Sequence, residues 1–249
     1  MNIIANITLN ALVEQGLDSL LNYRKELERA CDLYEPAFGK KWYLDKYQEL
    51  CSDAAWFINS LVSNAAKEGE GSRRLWEMAS RTPDVDIAEK LRQHALDEAR
   101  HGRFYMGMIK FAFPSEQLNK KIENKLNPLI PRYSLDEFPE EKEKSSEKVI
   151  LDELIQINIG EIRTRMHQLM LQPVLLHYAP EENKEKINNI IQNIILDETR
   201  HISYTAHLIE AAICNGQGDF VRKVMDIRWE EFNDITYAEM EGKKLYSMA

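Results

Sequence analysis

Asp97-Glu98-Ala99-Arg100-His101 and Asp197-Glu198-Thr199-Arg200-His201 are two copies of one string, Asp-Glu-x-Arg-His, one in each half of the chain. Each copy lies in a long helical pattern and carries Glu-x-x-His, so a carboxylate and an imidazole share one helix face. Two such helices facing each other would aim two carboxylates and two imidazoles at one place, a ready site for two metal ions.

The residues around the strings put both pairs on buried faces. Ile87, Leu91, Tyr105, Met108 and Ile109 recur at helical spacing about Glu98 and His101. Ile187, Ile191, Ile194, Ile195, Ile202, Leu208 and Ile209 do so about Glu198 and His201. The helix before each string can add one carboxylate. Glu68 continues the apolar stripe Phe57, Leu61, Ala65, Ser72, Leu75, whereas Glu70 falls on a wet face with Asn59, Ser63, Arg73, Arg74 and Glu77. Glu161 lies at the margin of the stripe Leu151, Ile155, Ile162, Met166, Leu169, with Glu153 nearer the helix start as the fallback.

The chain reads as all-α almost throughout, a single domain over all 249 residues. The pattern predicts helices from about Thr8 to Tyr34, Trp42 to Ser80, Asp84 to Phe113, Ser146 to Tyr178, Pro180 to Cys214 and Asp219 to Tyr246. Thr82-Pro83-Asp84 marks a break and restart, and Asn215-Gly216 a stop. Between Pro114 and Lys144 four prolines and the charged run Glu140 to Lys144 interrupt the pattern. That segment is expected to be a long crossover between two helical pairs. The bundle core then spans Trp42 to Cys214, with an extra helix at each end.

Composition narrows the function classes. A formal net charge of -9 argues against a nucleic-acid backbone as partner. No apolar run approaches the ~18 residues of a membrane span, and Met1 to Asn10 does not read as a signal segment. Cys31, Cys51 and Cys214 are too far apart in sequence for a metal clip, so a reducing, cytoplasmic setting is expected.

Charge supports metal. Four buried carboxylates carry a charge that two divalent cations would neutralise; without them each carboxylate is costly or takes up a proton. Mixed carboxylate and imidazole donors suit iron or manganese. Ligating imidazoles usually donate their second N–H to a carboxylate. Asp97 or Asp197 is therefore expected to orient the histidine of the other string, with Arg100 and Arg200 balancing the charge.

The paired strings resemble those of bacterial multicomponent monooxygenase hydroxylases and, more broadly, of the ferritin-like di-iron oxygenase superfamily. The resemblance covers Trp42 to Cys214. It implies a ferritin-like four-helix bundle, two iron ions and reaction with dioxygen. Glu68, Glu98 and His101 would hold one iron, and Glu161, Glu198 and His201 the other, with one or two glutamates bridging. Manganese or a mixed manganese–iron pair fits the same donors. His94, four residues before Glu98, is a candidate further ligand. Arylamine N-oxygenases of the superfamily carry such a histidine in the second string, where this chain has Ile194. Tyr105, four after His101, resembles the radical tyrosine of ribonucleotide reductase small subunits and is the candidate redox-active side chain.

The function expected is oxidation of a small organic substrate by dioxygen: hydroxylation, N-oxygenation or oxidative cleavage. Nothing resembles a flavin or nicotinamide motif, so electrons are expected from a separate reductase or ferredoxin. A homodimer is compatible with this plan. The alternatives are a ferroxidase or other iron-handling protein and a radical-generating subunit. His167, His177 and His207 read as surface or satisfied core residues.

Overall fold

The computed structural model describes residues 2–17 and 19–241. Among them every regular element is helical and none is a strand. No described helix is long and apolar enough to cross a membrane.

The first expected helix is two. α1 (Ile3–Glu14) ends where Gly16 takes φ +79°, with Gly16 N–H donating to Val13 O (2.8 Å) and Leu17 N–H to Leu12 O (3.0 Å). This is a left-handed glycine stop: it satisfies the last carbonyls and ends the helix. α2 (Leu21–Leu33) follows. The second expected helix is also two, α3 (Lys41–Cys51) and α4 (Ala54–Arg81). Asp53 divides them, its carboxylate accepting from the N–H groups of Ala55 (2.8 Å) and Trp56 (3.3 Å) and so capping α4.

α5 (Val85–Ala112) starts after Asp84, which accepts from Ile87 N–H at 2.9 Å. The crossover holds a helix of its own, α6 (Glu116–Leu126), a correction to the expected unpatterned segment. Ser115 caps it and Ile122 and Leu126 bury its inner side. α7 (Glu147–Tyr178) and α8 (Glu181–Ala212) run as expected. At Asn215-Gly216 the chain kinks through one wide turn, Gly216 taking φ +86°, and α9 (Gly218–Met240) starts at once. The expected continuation of this last helix to Tyr246 lies outside the described residues beyond position 241.

Packing divides the chain into two compact units. The first takes Met1–Glu49, Leu151–Gln168 and Glu198–Ala249; the second takes Leu50–Ile150 and Leu169–Asp197. α7 and α8 contribute residues to both.

In the second unit α4 and α5 form an antiparallel hairpin. Ser72 Oγ donates to Ala95 O (2.7 Å), and Gly102 packs against Ala65 O. That register puts Glu68 level with Glu98 and Ala99. The crossover lies along this hairpin. A side chain at Gly69 would collide with the Leu129 carbonyl, and one at Gly102 would meet Ile130 at 3.0 Å. Arginines tie the crossover segment down by its backbone: Arg73 donates to Leu129 O, Arg103 to Pro131 O (3.1 Å), and Arg92 to Leu135 O (3.1 Å) and Glu137 O (3.2 Å). Tyr133 stacks on Trp76 with ring centres 3.9 Å apart. Further along, Lys142 N–H and Ser145 N–H donate to Ser80 O (3.3 Å) and Arg81 O (2.9 Å) at the end of α4.

In the first unit α2 and α9 are joined by Glu26, which receives Arg222 (2.7 Å) and Arg29 (2.8 Å), and by Arg29 with Asp226 (2.6 Å). Asn233 bridges Ala37 N–H and Tyr34 O, both at 2.8 Å. Between α7 and α8, Asn158 donates to Thr205 Oγ1 (2.9 Å) and Arg165 to Thr199 Oγ1 (2.9 Å). That register sets Glu161 within a turn of His201.

Candidate metal centre

The second unit assembles Glu68, Glu98 and His101. Each offers a ligand atom within 4.8 Å of the others, and all three side chains are buried. α4 supplies Glu68 and α5 the other two; the hairpin register fixes their level. His101 Nδ1 faces Glu98 Oε1 at 3.3 Å, while its Nε2 lies 3.1 Å from Asp197 Oδ2. The imidazole therefore has one nitrogen turned to the carboxylates and the other held from behind. With Nε2 protonated toward Asp197, Nδ1 keeps its lone pair for a metal ion.

Asp197 is itself held by Arg100 Nη2 at 2.6 Å, and the same nitrogen lies 2.7 Å from Asp97 Oδ1. One guanidinium thus joins the aspartates of both strings. Arg200, at the matching place in the second string, is exposed. His94 is buried with Nε2 3.5 Å from Glu98 Oε1. At the corresponding position of the second string Ile194 is fully buried, so the copies differ there. Tyr105 is buried one turn beyond His101.

Electrostatics follow from these contacts. Burial alone would raise the Glu98 carboxyl. The hydrogen bonds of His101 and His94, the charge of His101 and a hydrogen bond from Glu68 overcome it and hold Glu98 well below the usual carboxylate range. Burial likewise disfavours a charged His101, yet Asp197 and Glu98 outweigh it and push the imidazole up to about 9. Asp197 is held far below its ordinary value, because His101 and Arg100 overcome its desolvation. The chain has concentrated negative charge here that a proton on His101 partly relieves.

In the first unit Glu198 and His201 are buried with Oε2 and Nδ1 3.3 Å apart, the same Nδ1-inward disposition as in the first string. Glu161 is half-buried on α7 and offers a ligand atom within 4.8 Å of one on His201. Thr205 Oγ1 donates to His201 O at 2.7 Å, and Asn158 to Thr205; Tyr23 OH donates to Asn158 Oδ1 at 2.9 Å. Sequence reasoning missed this buried chain from α2 through α7 to α8. The polar Asn158 and Thr205 inside apolar stripes were its only trace. His207 Nδ1 contacts Ser203 O at 3.1 Å and His167 packs edge-on to Tyr47, and neither joins the groupings of close ligand atoms among the described residues.

The donors fit divalent iron or manganese: carboxylates and imidazoles, buried except for the half-buried Glu161, with Asp197 fixing the outer nitrogen of His101. Neither set contains a thiolate; Cys31 and Cys51 are buried elsewhere and Cys214 is exposed. No family model, curated protein or solved structure matches the chain.

Proposed function

We propose that the chain is a non-haem di-iron oxygenase or oxidase of ferritin-like plan, oxidising a small organic substrate with dioxygen. The observation that carries this reading is the buried Glu68–Glu98–His101 set with Asp197 behind the imidazole. Glu161, Glu198 and His201 are its counterpart in the sequence, and we assign one metal ion to each set. A bound iron pair would supply the electron transfer to dioxygen. The protein's own part is to hold the imidazoles Nδ1-inward, to keep Glu98 ionised, and to exclude water by burying Glu98, His101, Glu198 and His201 to within 6% exposure. Electrons would come from a separate reductase or ferredoxin, or from the substrate.

The test is anaerobic loading of the metal-free chain with Fe(II), followed by admission of oxygen under optical and electron-paramagnetic observation. Two irons per chain, magnetically coupled after oxidation, support the reading. Progressive mineralisation past two would point instead to iron storage, and a tyrosyl signal lost in Tyr105→Phe to a radical subunit. Absence of metal binding, with Glu98→Ala indistinguishable from the parent chain, would defeat it altogether.

A further inference from the structure

Arg165 lies on α7 one turn beyond Glu161, and its partner is unusual. Nε donates to Thr199 Oγ1 at 2.9 Å, and Thr199 directly follows Glu198. Nη1 is buried and has no acceptor, and no carboxylate among the described residues pairs with the guanidinium. Other arginines of the same unit are treated differently: Arg29, Arg163, Arg222 and Arg228 each sit against an aspartate or glutamate. A half-buried cation with no carboxylate in direct contact is costly in a chain that carries a net charge of -9 and has acidic side chains to spare. Burial also depresses the Arg165 guanidinium, with only Glu14 acting the other way.

The direction of the unused donors says what would relieve that cost. With Nε committed to Thr199, the remaining pair is Nη1 and Nη2, the end-on fork that receives both oxygens of a carboxylate. The Thr199 bond orients the guanidinium, and the backbone of Arg165 lies one turn, about 6 Å of rise, along α7 from that of Glu161.

We propose that Arg165 anchors the carboxylate of a small organic acid, received end-on by Nη1 and Nη2 beside Glu161, Glu198 and His201. The substrate class of the proposed oxidation is then a carboxylate, with the carbon to be oxidised set by its reach from Arg165. This rests on the reading of those three residues as metal ligands; the anchor itself does not require the metal.

Hexanoate and hexanamide are suitable probes, since they differ only in the group Arg165 would receive. In calorimetric titrations of the metal-free full chain, hexanoate binds saturably and hexanamide does not. Arg165→Met weakens hexanoate about 10- to 100-fold, and Arg165→Lys, which keeps charge but loses the fork, by an intermediate factor. Melting temperature separates anchor from brace. Removing a half-buried cation that no carboxylate contacts leaves it unchanged or higher, so a fall in step with affinity in both variants overturns the proposal. So does hexanoate binding that is absent, or equal in the parent chain and Arg165→Met. Location is read with Mn(II): the parent chain broadens hexanoate proton resonances and Arg165→Met at the same concentrations does not. Bound Mn(II) without broadening overturns the placement. Failure of Mn(II) and Fe(II) to bind, with Arg165-dependent hexanoate binding intact, overturns the di-iron reading and leaves the anchor standing.

Discussion

Asp197 Oδ2 stands 3.1 Å from His101 Nε2, although 96 residues separate them in the chain. The second Asp-Glu-x-Arg-His string thus reaches the histidine of the first. The second string is therefore more than a ligand pair, since it supplies the outer partner for the first.

Asp197→Asn keeps the shape but removes the charge that fixes the protonated nitrogen of His101. Outer partners of ligating histidines typically contribute about 10- to 100-fold in metal affinity. Competition with a chelating dye, comparing Asp197→Asn with the parent chain, is expected to show a loss in that range. Equal affinities would remove Asp197 from the metal centre.

The same pair gives the metal-free chain a pH signature. His101 is raised from about 6.5 when unfolded to about 9 when folded. Its contribution is therefore complete below the unfolded value and disappears as pH rises through the folded one. Asp197 is depressed, so its contribution is complete above the unfolded value near ~3.9 and is lost as pH falls through the lower folded value. Urea unfolding at pH 6 and pH 9 is expected to show a fall in stability on the alkaline side that is smaller in Asp197→Asn. A rise would contradict the ion pair.

Three helical glycines around the first ligand set answer differently to a methyl group. Gly69→Ala would drive Cβ into the Leu129 carbonyl. A cost of about 1–3 kcal/mol, typical of overpacking, is expected in denaturant unfolding. Gly102→Ala meets flexible Ile130 atoms first and should lose less. Gly71→Ala makes only an ordinary 3.5 Å contact with Glu98 Oε2. It should be neutral or stabilising by up to ~1 kcal/mol, because alanine suits a helix interior better. A reversed order would mean that the crossover does not lie on Gly69.

Tyr23 is fully buried, and desolvation raises its hydroxyl well above the ordinary value despite the bond to Asn158. Tyr23→Phe removes the donor that satisfies Asn158 Oδ1. About 1–3 kcal/mol of destabilisation is expected for the stranded acceptor. A variant as stable as the parent would show that Asn158 turns its amide to other partners.

Helix type and the apolar stripes were legible in the sequence because both follow local periodicity. The depth of Glu68, Glu98, His101, Glu198 and His201 followed from the stripes they interrupt. The breaks at Gly16 and Asp53 were harder to see: leucines at Leu9, Leu12, Leu17, Leu20 and Leu21 keep nearly helical spacing across a left-handed glycine. α6 was hidden by Pro114 and Pro128, which bracket it and draw attention to the breaks instead of to Leu118, Ile122 and Leu126. Arg165 gave no sign, since the lack of a carboxylate in direct contact is a property of three-dimensional neighbours. The union of Asp97 and Asp197 on one guanidinium, with Arg200 left exposed, also depends on helix rotation, which periodicity does not report.

The crossover is held mainly through its carbonyl oxygens, at Leu129, Pro131, Leu135 and Glu137. Such tethers read the path of the chain and ignore the identity of most residues on it; Leu135 is 80% exposed. Random substitution should therefore be absorbed freely along much of this strap, while Gly69, Gly102 and the three arginines beneath it tolerate little. The variability would belong to the cover and the constraint to the surface it covers.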